Sequence, residues 1–450
     1  MALRVLVDAT DVPTDRGALG RYVDGLISAL ATTEVDLAVA CQRADDERYA
    51  RLAPSAKIFA GPIGLGHRSE RRAWEQNGLP VVAEQVGADV LHMPNYSMPL
   101  RPGLPTVVTI HDLAFFTDPD RYTQTNAVSL KSVTKTAARQ AARLIVPSNA
   151  TRDELVRLLG VDPGKIDVAH HGVDHRLFHR PDEVQVSRVT ARLGLHGKPY
   201  VAFLGSLTPR KNAPALVAGW ATAVADLAEP PALVLAGGGG WSVELDEAVA
   251  RVPPHLRLVR PGYLPFADLP GFLGGAIVVA APSRGEGFGL QVLEAMACGA
   301  PVLTTYRTSL PEVGGEAVAY TEPDAESIAA ALRALLDDPA RRTALGAAGY
   351  ARSQDFTWAA SAAAHVASYK RAADQRLADI SGEVPATPLR RIPLCFGVSP
   401  SWDEYAAQVA GAIRYPCRPW NRLLRRNYLC RVNRWKRSCS SVARERGCGR

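Results

Sequence analysis

Short, mainly apolar runs recur through the first 370 residues, most of them ended by glycine, proline or a polar residue and followed by a segment with helical spacing. Runs of this length and apolarity predict strands buried on both faces, as in parallel sheets. In the first half they fall at 4–8, 35–40, 57–60, 90–93, 107–110, 144–147 and 166–169. In the second half they fall at 200–204, 233–237, 256–259, 262–264, 276–281, 302–304 and 318–320. Strands alternating with helical segments predict an α/β fold: two doubly wound, Rossmann-like domains facing across a cleft. The boundaries read as 1–178 for the first domain and 198–355 for the second, with polar residues 179–197 as a linker. A last helix opens at Phe356-Thr-Trp358 and runs to about 371–373.

The stretch with the most chemistry is 282–304, PSRGEGFGLQVLEAMACGAPVLT. A strand at 276–281 runs into a loop opened by Gly285, Gly287 and Gly289. Leu290, Leu293, Ala297 and Cys298 then keep helical spacing until Gly299 and Pro301 end it. Free N–H groups at such a helix start favour an anion such as phosphate. Glu286 and Glu294 flank that point eight residues apart, too far to act as a close acid/base pair on one atom. Each is suited to accept from neutral hydroxyls at the two ends of a ligand whose middle is anionic, the layout of a sugar–diphosphate–ribose. Two further strand-to-helix junctions carry candidate groups. Gly17 and Gly20 follow the first strand, as an anion cradle or a simple turn. Gly205 ends the strand at 200–204, with Arg210 and Lys211 before the next helix. Two fixed cations suit a diphosphate that must bind and then leave with its charge stabilised. His111 stands at the C-terminal end of the 107–110 strand, where ligands collect in open α/β sheets.

The string Glu286-Gly-Phe-Gly-Leu-Gln-Val-Leu-Glu294, followed by Ala-Met-Ala-Cys-Gly-Ala-Pro, resembles the donor-site signature of the large retaining glycosyltransferase family four, whose members have the GT-B fold. The resemblance covers roughly residues 4–373. It implies that Glu286 contacts donor-sugar hydroxyls, that Gly287, Phe288, Gly289 and Leu290 offer backbone N–H groups near sugar and phosphate, and that Glu294 holds the ribose. It further implies that Gly17 and Gly20 lie between diphosphate and acceptor, that Arg210 and Lys211 bind phosphate, and that His111 approaches the donor sugar near the reacting carbon. The last helix is then expected to cross back to the first domain. The implied activity is retaining transfer of a sugar from a nucleotide diphosphate donor to a saccharide or lipid-linked acceptor. Gly205-Ser-Leu-Thr-Pro-Arg-Lys-Asn212 with Ser309-Leu-Pro-Glu-Val-Gly-Gly315 is most similar to mannosyltransferase-type members, so GDP-mannose is the first donor expected and a UDP-sugar the second. No cofactor and no metal are expected. Asp118-Pro-Asp120 is read as a turn, and His170-His171 as neighbours on an extended segment that point to opposite faces. Rival readings are a non-catalytic nucleotide-sugar-binding protein and a GT-B phosphorylase or epimerase.

Charge changes this picture little. The chain's net +7 comes from residues 376–450, with 15 Lys/Arg against 5 Asp/Glu; the other 375 residues hold 37 against 40. A near-neutral body gives no reason to expect nucleic acid as a partner. Only Cys41 and Cys298 lie in the body, which suits a reducing compartment and a cytoplasmic protein. The Arg-, Cys- and Trp-rich tail reads as separate from the core: a poorly ordered appendix or the product of a shifted reading frame. Lys131, Lys135, Arg139 and Arg143 recur every four residues on a helix expected over 131–143. That stripe is either a solvated face or a contact with the anionic inner face of a membrane.

Overall fold

The computed structural model of the chain describes residues 2–119, 123–238 and 243–382, with side chains through 375. The first sheet holds β1 (Arg4–Asp8), β2 (Asp36–Cys41), β3 (Lys57–Ala60), β4 (Val90–Met93), β5 (Thr106–Thr109), β6 (Arg143–Val146) and β7 (Ile166–Val168). Their spatial order is 3-2-1-4-5-6-7, and every pairing is parallel. The second holds β8 (Tyr200–Leu204), β9 (Ala232–Ala236), β10 (Leu258–Gly262), β11 (Val278–Ala281), β12 (Val302–Thr305) and β13 (Ala319–Thr321), in the order 10-9-8-11-12-13, again all parallel. Each sheet reverses its winding once, between β1 and β4 and between β8 and β11. A crevice opens outside the carboxyl ends of strands at such a point. The loops after β1, β8 and β11 therefore carry the site. Val5, Leu6, Val7, Val201, Ala202, Val279 and Ala280 are all inaccessible to solvent, as strands covered on both faces require.

The helix Trp358–Gly382 returns to the first domain, where Ala362, Val366, Tyr369 and Ala372 join the core formed by β1, β2 and the helix Gly17–Leu30. Gly25 and Gly172 make room for it: a Cβ on either would come within 2.2 Å of Trp358. The return is locked by a buried polar chain. His365 Nδ1 donates to Ser361 O (2.7 Å), so its Nε2 accepts from Tyr22 OH (2.9 Å). Thr109 Oγ1 donates to Tyr22 OH (2.8 Å) and accepts from His92 Nε2 (2.9 Å), and Tyr369 OH donates to His92 Nδ1 (2.9 Å). This one sense of donation needs both rings neutral. Burial agrees, lowering His365 from the usual 6.5 to about 4 and His92 well below 6.5. In the unfolded chain both rings protonate below about pH 6.5, while the folded protein keeps them neutral. Their contribution is thus present above that pH and is lost as pH falls toward 4. The thermal unfolding midpoint is expected to drop across this interval. Tyr369→Phe, which strips His92 Nδ1 of its donor, should cost about 1–3 kcal/mol in urea unfolding at pH 7.5.

Some sequence expectations change. The runs at 256–259 and 262–264 contribute one strand, β10. The segment 179–197, read as a linker, contains a helix, Glu183–Arg192, started by a capping box between Asp182 and Gln185. Its Arg192 and Arg188 reach the buried Asp268 of the second domain at 2.6 and 3.3 Å. The helix expected over 131–143 is Gln124–Gln140. Arg143 opens β6 and is buried against Asp167, with two bonds of 2.7 Å, so it leaves the basic stripe. Lys131 and Lys135 lie over the Phe116 ring at 5.8 and 5.9 Å. Asp120 and the basic tail beyond residue 382 lie outside the described residues. Removing 383–450 is expected to leave unfolding and nucleotide binding unchanged, since the described core is closed by the helix up to Ala372.

Candidate active site in the interdomain cleft

The two switch points face each other across a cavity of about 430 Å³. Gly17, His111, Gly205, Arg210, Lys211, Glu286, Gly287, Phe288, Gly289 and Leu290 all line it. Gly20 and Glu294 do not; they stand behind that lining. Gly20 lies one residue before Arg21 and one helical turn from Arg16, whose Cβ is 2.6 Å from where a side chain at 20 would begin. Glu294 is fully buried on the helix Leu290–Ala297 and binds Arg21 Nε at 2.6 Å, joining the two domains. Its other oxygen is buried without a partner.

Glu286 is surrounded by donors within the second domain. Its Oε1 accepts from Lys211 Nζ (2.7 Å), Ser283 Oγ (2.6 Å) and Gln291 Nε2 (2.9 Å), and its Oε2 accepts from Arg210. Burial would raise this carboxyl; Arg210 and Lys211 outweigh burial and hold it at about 2. Burial in turn lowers Lys211. Arg21, Arg210 and Lys211 line the cavity with the carboxylates Asp15, Asp112 and Glu286, and Glu294 stands behind Arg21, so the cavity as a whole has no positive surplus. The cations and the N-terminus at Leu290 favour an anion locally, on the second domain's side of the cavity.

His111 Nε2 donates to Pro94 O at 2.7 Å, and its ring packs edge-on to Tyr22 (5.0 Å) and Tyr96 (5.7 Å). Burial lowers its pKa, so at neutral pH it brings a neutral ring, not a charge. The backbone beside it matters as much. A Cβ on Gly287 would lie 1.7 Å from His111 O, so the donor loop meets the first domain backbone to backbone. Gly287 O accepts from Ser148 Oγ (2.7 Å), and Glu312 of the second domain caps the helix Asn149–Leu159 of the first through the N–H groups of Asn149 and Ala150, both at 2.8 Å. Capping by an anion suits the positive end of that helix.

Sequence reasoning missed Arg21, Tyr22 and His171 as cavity residues. Arg21 follows the second glycine of Gly-x-x-Gly directly, a position from which a cation faces the cleft. His171 is buried among Tyr22 (4.6 Å), Phe288 (5.0 Å) and His111 (5.8 Å), while its neighbour His170 stands outside, 3.5 Å from Glu312. Tyr263 OH donates to Asp15 Oδ2 (3.2 Å) across the cleft. Arg21→Ala should weaken nucleoside diphosphate binding about tenfold, from loss of one charge-assisted contact, as read by titration calorimetry.

Comparison with known proteins divides the chain at the same place as the cleft. Residues 19–177 match the model of Glycosyltransferase Family 4, and residues 190–352 match that of Glycosyl transferases group 1. Each half of the chain thus matches a glycosyltransferase family model, and the two doubly wound sheets have the GT-B arrangement. The chain is similar to a D-inositol 3-phosphate glycosyltransferase of Kineococcus radiotolerans, 37% identical over 53% of this chain and 59% of that protein. It is also similar to the O-antigen chain mannosyltransferase B of Escherichia coli, 29% identical over 60% of this chain and 71% of that one. In the first of these the match spans little more than half the relative's length. Among solved structures, Alr3699/HepE of Anabaena, in complex with UDP-glucose, superposes with a TM-score of 0.62 at 19% identity, covering 84% of this chain and all of that one. At that identity the likeness bears on the GT-B fold alone. No helix among the described residues is long and apolar enough to cross a membrane.

Proposed function

We propose that the chain is a retaining glycosyltransferase that moves a hexosyl group from a nucleoside diphosphate sugar to a saccharide or lipid-linked acceptor. The observation that carries the reading is the placement of Arg210 and Lys211, brought from the loop after β8 to the glycine loop after β11 and bound there by Glu286. A diphosphate entering the cavity meets these cations, Arg21 and the N-terminus at Leu290, while Glu294, buried behind the lining, holds Arg21 in place. The leaving diphosphate is stabilised where its charge develops.

The cavity's carboxylates favour the retaining course. Asp15 accepts from Tyr263, Asp112 caps its own turn through Ala114 N (3.1 Å), and Glu286 is tied to its cations. A nucleophile or base on the sugar's far face needs a carboxylate free to act. With these committed, a front-face displacement in which the departing phosphate takes the acceptor's proton needs only positioning and charge stabilisation from the protein. GDP-mannose remains the first donor proposed, in keeping with the Escherichia coli relative, and a UDP-sugar the second.

A thermal-shift series with UDP, GDP, their sugars and the free nucleosides tests the donor site on the full chain. One diphosphate should raise the unfolding midpoint, since a ligand at 100 times its Kd stabilises by about 2.7 kcal/mol. No shift with any nucleoside diphosphate sinks the proposal. Free nucleotide released only when an acceptor is present would exclude a phosphorylase or epimerase, and tight binding without turnover would instead favour a sensor.

A further inference from the structure

The chain crosses between its domains at two places, and the two crossings touch. Ala169 belongs to the first domain's core and Val173 to the second's; Phe356 belongs to the second's, and Trp358 packs on the first's. The crossings are therefore 170–172 and 357. Val173 N donates to Phe356 O (3.1 Å), and a Cβ on Gly172 would stand 2.2 Å from Trp358 N. His171 lies at this junction, 5% exposed, and lines the cleft cavity. Groups at such a junction move least when the domains shift about it, so the ring keeps its place.

Four histidines gather about the Tyr22 ring: His171 at 4.6 Å, His111 at 5.0 Å, His365 at 6.0 Å, and His92 a further 5.5 Å from His365. Three of them have ring nitrogens committed to the protein, His92 and His365 in the buried polar chain and His111 to Pro94 O. His171 differs. Among the described residues neither of its nitrogens has a hydrogen-bond partner, and its Nδ1 is inaccessible. A buried polar group left unpaired calls for an explanation, of which a ligand is one. Burial, with the histidines around it, holds the ring neutral near pH 7, so it carries a single proton. On Nδ1 that proton would be a buried N–H with nothing to receive it, whereas a bare acceptor is better tolerated. The proton is therefore assigned to Nε2. With Nδ1 shut away, the ring meets the cavity through its Nε2 side, as a donor.

We propose that His171 recognises one hydroxyl of the transferred sugar by donating from Nε2, and that Tyr22 is the positioning residue that holds its ring. The inference rests on the glycosyl-transfer reading and adds to it a residue that distinguishes one hexosyl group from another. His171 packs 5.8 Å from His111 and 5.0 Å from Phe288, where the donor loop meets the first domain. His111, with its Nε2 donating to Pro94 O, keeps only an acceptor nitrogen. The two rings thus offer a sugar complementary partners, an acceptor on His111 and a donor on His171. The Tyr22 hydroxyl is fixed inward by Thr109 and His365, so its ring supports His171 in one place. A site built to hydrogen-bond a hydroxyl discriminates against the analogue that lacks it.

The test is titration calorimetry on the full chain with GDP, UDP, GDP-mannose and UDP-glucose. Each sugar nucleotide is also used with its sugar deoxygenated singly at C2, C3, C4 or C6. In the parent, removal of one of these hydroxyls should weaken binding about tenfold, the worth of one hydrogen bond. His171→Phe keeps a ring between Tyr22 and Phe288 and removes the donor. It should bind the nucleotide within about twofold of the parent and the intact sugar nucleotide about tenfold more weakly. It should lose nothing further when that same hydroxyl is removed. His171→Gln, neutral and with an N–H to donate, should restore part of the affinity. Tyr22→Phe should shrink the deoxygenation penalty while nucleotide binding holds. An unchanged unfolding midpoint checks that the junction accepts Phe; His171→Leu gives the same comparison where it does not. Equal losses for nucleotide and sugar nucleotide in His171→Phe, or no hydroxyl coupled to His171, overturn the proposal. Nucleotide binding without that coupling sinks this inference alone. If neither nucleotide binds the parent, the donor-site reading falls and this inference with it.

Discussion

Lys211→Met should weaken nucleoside diphosphate binding about 10- to 100-fold while nucleoside binding changes little. A hydrogen bond to a charged partner is worth about 1.5–3 kcal/mol, and 1.4 kcal/mol is tenfold. The substitution has a second effect that the geometry makes explicit. Lys211 is buried against Glu286 at 2.7 Å, so its loss leaves that carboxylate with one cation, Arg210, beside the neutral donors Ser283 and Gln291. Removing one partner of a buried pair costs about 3–5 kcal/mol, and denaturant unfolding should show a loss of this order. Glu286→Gln added to Lys211→Met should return the stability without returning diphosphate affinity. Recovery of both would mean that Lys211 serves only to neutralise Glu286. The same pair sets an acid limit. Glu286 is held at about 2, below its usual 4.5; its contribution is present above pH 4.5 and is lost as pH falls toward 2. The Glu286→Gln chain should lack this part of the acid transition.

Gly287→Ala should cut turnover about 100-fold or more and leave nucleotide binding within a few-fold. The added methyl would stand 1.7 Å from His111 O and 2.8 Å from its carbonyl carbon. Both are backbone atoms of β5's loop and cannot turn aside as a side-chain tip can. The domains must therefore separate by an ångström or more, and misplacement of about 1 Å costs on the order of 100-fold in rate. Separation also breaks the Ser148–Gly287 bond and the Glu312 cap on the helix Asn149–Leu159. The nucleotide's own contacts in the second domain move with that domain. Single-turnover rates with saturating donor, set beside calorimetric nucleotide affinity, measure the two separately. Equal losses in rate and affinity would show that Gly287 serves the donor loop's shape and not the meeting of domains.

The sheets were legible in the sequence because a parallel strand buried on both faces leaves a local mark, a short apolar run closed by glycine or proline. Val5–Val7 and Val278–Ala280 carry that mark, and the two doubly wound domains followed from it. The position of the site was legible for a related reason. Glycines and charges gather after β1, β8 and β11 since those loops open onto the crevice at the two switch points, beside the loops after β5, β7 and β10. What the side chains do there was decided by the tertiary structure. Glu286 reads in sequence as a hydroxyl acceptor, and only the fold shows that Arg210 and Lys211, some 75 residues earlier in the chain, arrive at its oxygens. Arg21 is an ordinary helix residue until the second domain brings Glu294 to it. Four-residue spacing put Arg143 on a helix, and the competing demand of β6, with Asp167 on the neighbouring strand, took it into the sheet. Local patterns record burial and backbone form, which each segment senses by itself. Charge pairing and the backbone approach at Gly287 depend on residues far apart in sequence, and the folded chain alone brings them together.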